Sequence, residues 1–344
     1  MRFFPSNDGS SPEGVNLPKG VFTLSLDFEL IWGTIDKRSW RSMQPLYAIE
    51  REEVIGRLLE LFDRYSVSAT WCTVGHLFLD RCSNSASPRH SEIDPQGLDP
   101  RFDRDPCSGE SADPIFYGRR LLEQILACPT PQEIGCHSFS HPDFATCSRE
   151  RAQAELAASV RAARELGIDM SSFAFPRNRV GHLDLFPRYG FRTFRGPDRT
   201  WYEQAPRRKS YHRAGHLLDI LLAAEPPTVL PEWNENGLWD IPGSMLYTPS
   251  HRLRRYIPVQ LRVLRAQKGL RAAARHRRVF HLWFHPTDVV VRQRAMLDGL
   301  ARILDLASEL RERNRLVILP MFEVPRYAGL PIEGPAPALA GVAR

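Results

Sequence analysis

Val21-Phe22-Thr23-Leu24-Ser25-Leu26-Asp27-Phe28-Glu29-Leu30 is an apolar run with two carboxylates at its far end. Its bulky apolar residues, spaced by small hydroxyls, predict a buried strand over 21–27 that ends on an acid. Ile49, Val54, Leu58, Leu61, Phe62 and Tyr65 then recur at helical spacing, which predicts a helix across 48–65. Val67-Ser68-Ala69-Thr70-Trp71-Cys72-Thr73-Val74 reads as a second strand. Strand, helix and strand in that order imply a parallel pair with a right-handed crossover.

The alternation continues outward from this unit. A polar stretch over about 80–115, rich in Ser, Pro, Asp and Arg, reads as a long insertion too hydrophilic for a core. Loops of that length tend to shape binding sites. A short helix near 116–127 leads to Glu133-Ile134-Gly135-Cys136-His137-Ser138-Phe139-Ser140-His141. Ser148 is placed to N-cap a helix over 148–166, with Gly167 just past its end. Ser172-Phe173-Ala174-Phe175 is a strand running into Pro176-Arg177-Asn178-Arg179, followed by a helix near 182–188 and a strand over 191–195. Further on come an apolar helix around 215–224 and an arginine-rich helical stretch over 251–278. Val279-Phe280-His281-Leu282-Trp283-Phe284-His285-Pro286 is a strand ending on a histidine, and a helix near 291–313 and a strand over 316–319 close the fold. The expectation is a single α/β domain over 20–327 with a parallel sheet or barrel. Loose ends at 1–19 and 328–344 flank it.

Composition narrows the class. Hydrophobic residues at 42% and charged residues at 25% are those of an ordinary soluble globular chain of this length, 344 residues. No apolar stretch is long enough to span a bilayer. The opening MRFFPSNDGSSPEG lacks the apolar run of a secretory signal, so a cytoplasmic location is expected. Six cysteines (Cys72, Cys82, Cys107, Cys128, Cys136 and Cys147) form no CxxC pair and are expected as reduced thiols. The net charge of +6 comes mostly from arginine. Without zinc-finger spacing or RNA-binding aromatics, no nucleic-acid partner is expected.

Three polar clusters fall at or just after the C-terminal ends of expected strands, where parallel α/β folds gather reactive groups. Asp27 and Glu29 are two residues apart and share a face if the strand continues to residue 30. Two acids in one pocket repel unless a cation or a shared proton compensates. His137 and His141 could reach one divalent cation if the backbone turns helically between them. Two imidazoles, a carboxylate and an open position make a hydrolytic metal site. His285, at a strand end, is a candidate general acid for a leaving amine, with His281 its competitor. Arg177 could hold a carboxylate bidentately and keep it ionised; a solvated loop arginine is the plain alternative. Residues 251–278 contain nine arginines and one lysine. They could present a basic face to anionic lipid or a substrate phosphate, against the plainer reading of a solvated helix face.

With these residues assembled, the chain resembles the polysaccharide deacetylases of carbohydrate esterase family 4, those with a NodB-homology domain. LSLDFEL, HSFSH, FPRNRVG and LWFHP match the family's motifs in order. DFE-x-x-WG, from Asp27 to Gly33, is similar to an intracellular branch linked to surface glycan synthesis. The resemblance implies a distorted (β/α) barrel with fewer than eight regular strands. It implies Asp27 as the base that activates water, Glu29, His137 and His141 as metal ligands, Arg177 as the residue orienting Asp27, and His285 as the acid. The implied cofactor is a divalent metal, Zn²⁺ first. In this sequence Phe28 separates the two acids and the second is Glu, which leaves their division of labour open. Arg179 rivals Arg177, and the family's fourth motif has only Arg195, Asp198 and Trp201 as candidates. The reaction implied is removal of an N-acetyl or N-formyl group from an amino sugar of a nucleotide-linked or polyprenyl-phosphate-linked glycan precursor. Alternatives are a catalytically silent glycan-binding module and an amidohydrolase acting on a non-sugar amide.

Overall fold

The opening run folds as β1 (Gly20–Phe28), all nine residues of which are buried. The computed structural model describes residues 15–82, 90–203 and 209–330, so most of the two expected loose ends lies outside the described residues. Leu17, within the first of those ends, is buried. After β1 come β2 (Thr70–Thr73), β3 (Glu133–Cys136), β4 (Ser172–Ala174), β5 (Thr193–Arg195), β6 (Glu232–Trp233), β7 (Trp239–Asp240), β8 (Met245–Leu246), β9 (Val279–Phe284) and β10 (Leu316–Ile318). The sheet order is β6-β7-β5-β4-β3-β2-β1-β9-β8, with β10 also on β1. Every pairing is parallel except β6 with β7.

β1 is the pivot. Its residues 20–22 pair with β10 and its residues 25–28 with β2, while β9 pairs along residues 21–26. One strand serving three neighbours forces the sheet to curl, and the result is a half-barrel wrapped by helices. Those helices are α1 (Trp40–Ile49), α2 (Ile55–Arg64), α3 (Pro100–Arg104), α4 (Arg119–Leu126), α5 (Arg149–Arg164), α6 (Lys209–Leu221), α7 (Val259–His276), α8 (Gln293–Glu312) and α9 (Glu323–Tyr327). α7 packs hard on the start of β1: a Cβ at Gly20 would stand 2.6 Å from the Ala273 carbonyl oxygen. Only a residue without a side chain permits that approach. The Ser148 hydroxyl caps α5 as expected, accepting the Arg151 N–H at 3.2 Å, and Gly167 follows the helix at φ +71°.

Four expectations need correction. The helix expected from residue 48 is part of a longer run: α1, a π-turn (Glu50–Val54) and α2 are contiguous. The π-turn buries the Glu50 carboxylate. The polar insertion is not all surface, because Phe102, His90 and Asp105 are 3%, 4% and 0% exposed. Not all six cysteines are free, since Cys82 and Cys107 are joined as a disulfide across 25 residues. Nor is α7 a uniformly solvated basic face. Arg262 is buried and donates to the carbonyls of Thr248 and Ile257, and Arg265 is buried against Asp219. Among the described residues, no helix is long and apolar enough to cross a membrane.

Candidate active site

β1 stops at Phe28 rather than running to residue 30, and Glu29 opens a 3-10 turn (Leu30–Gly33). The two acids converge all the same. Asp27 faces the site from the strand, Phe28 packs inward with its ring 6.0 Å from Trp71, and Glu29 returns to the Asp27 side. Gly33 makes room for it: a Cβ there would lie 1.6 Å from Glu29 Oε2. Asp27, Glu29 and His285 bring ligand atoms within 4.8 Å of one another, as do Glu29, His137 and His141.

The two histidines follow β3, but no helical turn joins them. Instead Ser138 and His141 adopt left-handed backbone, each at φ 63°. Such strain persists only where the surroundings impose it. Here Glu155 of α5 imposes it, for its buried carboxylate accepts the N–H groups of Phe139 and Ser140, both at 2.8 Å, and the Arg151 Nε–H at 2.9 Å. Glu155 is a supporting residue that the sequence did not single out; its position on the inner face of an otherwise alanine-rich helix was the available signal. His137 donates Nδ1–H to the Ala174 carbonyl at 2.8 Å. Its Nε2 and that of His141 each lie 3.0 Å from Glu29 Oε1.

Arg177 is not on Asp27. It pairs with Asp36 near the rim, and its rival Arg179 pairs with Asp143 at 2.8 Å. The guanidinium on Asp27 belongs to Arg195, at the end of β5, which donates to both carboxylate oxygens at 2.8 and 2.6 Å. Arg195 is fully buried and stacks over the Trp283 ring at 4.4 Å. The two other fourth-motif candidates stand apart from the acids. Asp198 accepts the Trp283 indole N–H at 2.8 Å, and Trp201 donates to Asp219 at 2.9 Å. His281 is a core residue, bonded to Ser25 Oγ at 2.8 Å and to the Ile241 carbonyl at 3.0 Å. His285, just past β9, has Nδ1 on Asp288 at 3.0 Å, while its Nε2 lies 3.5 Å from Glu29 and 3.9 Å from Asp27.

The charges are mutually tuned. Burial alone would raise both acids, but Arg195 and neighbouring imidazoles hold Asp27 below its usual range. His141 and His285 hold Glu29 well below its own. Burial opposes protonation of His285, yet Glu29 and Asp288 raise it well above the ordinary imidazole value. Burial lowers His141. The Ala174 carbonyl assigns the His137 proton to Nδ1, so in neutral His137 the Nε2 lone pair faces an ionised carboxylate at 3.0 Å. Two acceptors so close call for a positive charge between them, and the carboxylate and two imidazoles fit a divalent cation. The site opens into a cleft of about 850 Å³, with Lys37, Tyr47, Arg177, Arg213 and His285 among its walls.

Residues 30–182, just under half of the chain, match the polysaccharide deacetylase family model. No curated protein matches the chain. Among solved structures, a protein from Mycobacterium smegmatis described as a polysaccharide deacetylase is similar over 95% of both chains, at 12% identity and a TM-score of 0.60. One from Pseudomonas aeruginosa PAO1, described likewise, covers 89% of each chain at 13% identity and a TM-score of 0.57. A Puue allantoinase matches over 95% of this chain and 97% of its own, at 13% identity and a TM-score of 0.58. At such identities the likeness is one of fold. The chain therefore folds as these half-barrels do and carries, over residues 30–182, a polysaccharide deacetylase domain match.

Proposed function

We propose that the chain is a metal-dependent hydrolase that removes an N-acetyl or N-formyl group from an amino sugar of a cytoplasmic glycan precursor. The observation that carries this reading is the convergence of Asp27, Glu29, His137, His141 and His285 at one end of the half-barrel, with Asp27 clamped by a buried arginine. Glu29, His137 and His141 would hold the metal, with Zn²⁺ the first choice for two imidazoles and a carboxylate. A bound divalent ion there supplies Lewis-acid polarisation of the acyl carbonyl and makes water more acidic.

The remaining work falls to the chain's own groups. Asp27, kept ionised by Arg195, takes the proton from the attacking water. His285, with its Nδ1 on Asp288 at 3.0 Å, gives a proton to the departing nitrogen. With the base and the acid on the same cleft, water oxygen bonds to the acyl carbon, the C–N bond breaks as its nitrogen takes the proton, and acetate or formate and the free amine leave. Lys37, Arg177 and Arg213 in the cleft wall suit a phosphate-bearing substrate, either nucleotide-linked or polyprenyl-phosphate-linked. For a lipid-linked substrate, the outward Arg271, Arg275 and Arg277 of 251–278 offer a basic surface to an anionic membrane.

The test is acyl release. Protein loaded with Zn²⁺ is expected to liberate acetate or formate from an N-acylated amino sugar on a nucleotide or polyprenyl phosphate, and Asp27→Asn to abolish it. Absence of release across both panels would remove the hydrolase reading. Release from simple non-sugar amides alone would move it to an amidohydrolase.

A further inference from the structure

The insertion over 80–115 brings together a second set of donors, separate from the active site. His76, His90 and Asp105 are 0%, 4% and 0% exposed, and their ligand atoms lie within 4.8 Å of one another. His76 gives its Nδ1 proton to the Phe116 carbonyl at 3.1 Å. Its Nε2 stands 3.2 Å from Asp105 Oδ2. His90 Nε2 lies 2.9 Å from the same oxygen, with its Nδ1 towards Glu92 at 3.7 Å. Asp105 Oδ1 is held by the Cys107 N–H at 3.0 Å. Cys82 Sγ lies 3.6 Å from His90 Nε2. An imidazole fixed at its far nitrogen by a carbonyl, and a second beside it, both with their near nitrogens turned on one anion, are arranged as metal ligands are.

We propose that His76, His90 and Asp105 form a second divalent-metal site of the Zn²⁺ class, completed by a Cys82 thiolate when Cys82 is reduced. Mixed nitrogen, oxygen and sulfur donors suit Zn²⁺ and disfavour Mg²⁺ or Ca²⁺. The structure records Cys82 bonded to Cys107. A thiol reductant supplies the two electrons that cleave that bond, two protons complete the two thiols, and coordination then releases the Cys82 proton. With His76, His90 and Asp105 all buried, the site is structural.

Its place in the fold says what it steadies. The ring of Trp32, three residues after Glu29 in the chain, lies 4.3 Å from the His76 ring, and its indole donates to the same Phe116 carbonyl. Phe139, between the two active-site histidines, packs 5.6 Å from His76 and 5.7 Å from His90. The N–H groups of Gly75 and His76 donate to the carbonyls of Ser138 and Phe139. A cation here would pin the insertion to the back of the active-site loop.

Co²⁺ substitution tests the site, because thiolate-to-cobalt charge transfer gives a near-ultraviolet band that the sulfur-free active site cannot supply. The full chain, reduced and loaded with Co²⁺, is expected to show that band, and Cys82→Ser to remove it. The zinc content of the His137→Ala/His141→Ala variant should remain about one equivalent per chain. Adding His90→Ala to that variant should lose it. A reduced wild-type chain that binds Co²⁺ without a thiolate band would overturn the proposal, as would a folded His137→Ala/His141→Ala variant that retains no zinc. His90 and Asp105 would then be an ordinary buried ion pair. Both readouts are independent of acyl release, so they stand or fall apart from the hydrolase reading.

Discussion

Two arginines, Arg195 at the end of β5 and Arg177 just beyond β4, separate sharply once their partners are known. Arg195 and Asp27 form a buried bidentate pair, and removing one member strands the other charge. Arg195→Met is expected to lower unfolding free energy by about 3–5 kcal/mol in denaturant titration and to suppress turnover. Arg177→Gln breaks only a pair whose arginine is 40% exposed, so its stability change should stay within about 1 kcal/mol. Equal losses in the two variants would contradict the assignment. From the sequence, Arg177 was the arginine expected on Asp27, with Arg179 its rival and Arg195 only a fourth-motif candidate, because a proline motif beside an arginine is visible along the chain and a clamp across 168 residues is not. Glu155 was missed for the same reason. Its carboxylate fixes the Phe139 and Ser140 amides, and Glu155→Gln sets an amide group among those donors. Weakened support of this kind lowers metal affinity by roughly 10–100-fold, to be read by competition with a zinc chelator.

Elements were the most legible level, since apolar periodicity is written directly into the chain. β1, β4, β9, β10 and α5 fall close to their expected places. Ser148 as N-cap was legible too, and Ser148→Ala should cost about 1 kcal/mol in thermal or urea unfolding. What periodicity hides is a polar residue buried through its partners: His90 and Asp105 look like loop residues until each meets the other. Asp240 on β7 is a similar case. Burial pushes its carboxyl up to about 7 despite Arg199 and the Gly196 N–H. Its folded pKa therefore exceeds the unfolded value, and the native state binds the extra proton between about pH 4 and pH 7. Stability from this group is full below that window and is lost as pH rises through it, by up to about 4 kcal/mol for the whole shift. Asp240→Asn should flatten that decline relative to the unaltered chain in urea midpoints measured from pH 4 to pH 8; parallel curves would refute the assignment.

At the scale of the molecule, the site joins parts of the chain that local structure leaves separate. Glu29 sits at the end of β1 and His137 and His141 follow β3, so a shared cation would tie segments 108 residues apart. β1 itself already divides its pairing among β2, β9 and β10, and among the described residues no strand closes the half-barrel to hold the Glu29 turn in place. A ligand that binds only the folded state adds RT ln(1 + [L]/Kd), about 2.7 kcal/mol at a hundredfold excess over Kd. Zn²⁺ should therefore raise Tm by several degrees over chelator-treated protein. The same measurement separates the two acids, whose roles the intervening Phe28 left ambiguous in the sequence. If Glu29 is the ligand and Asp27 the base, then with the Cys82–Cys107 disulfide intact Glu29→Gln loses most of the zinc-dependent rise in Tm together with turnover. Asp27→Asn loses turnover yet keeps the rise, because Glu29 Oε1, not Asp27, is the oxygen 3.0 Å from both imidazoles. The opposite pattern, with the rise lost in Asp27→Asn and kept in Glu29→Gln, would exchange their roles.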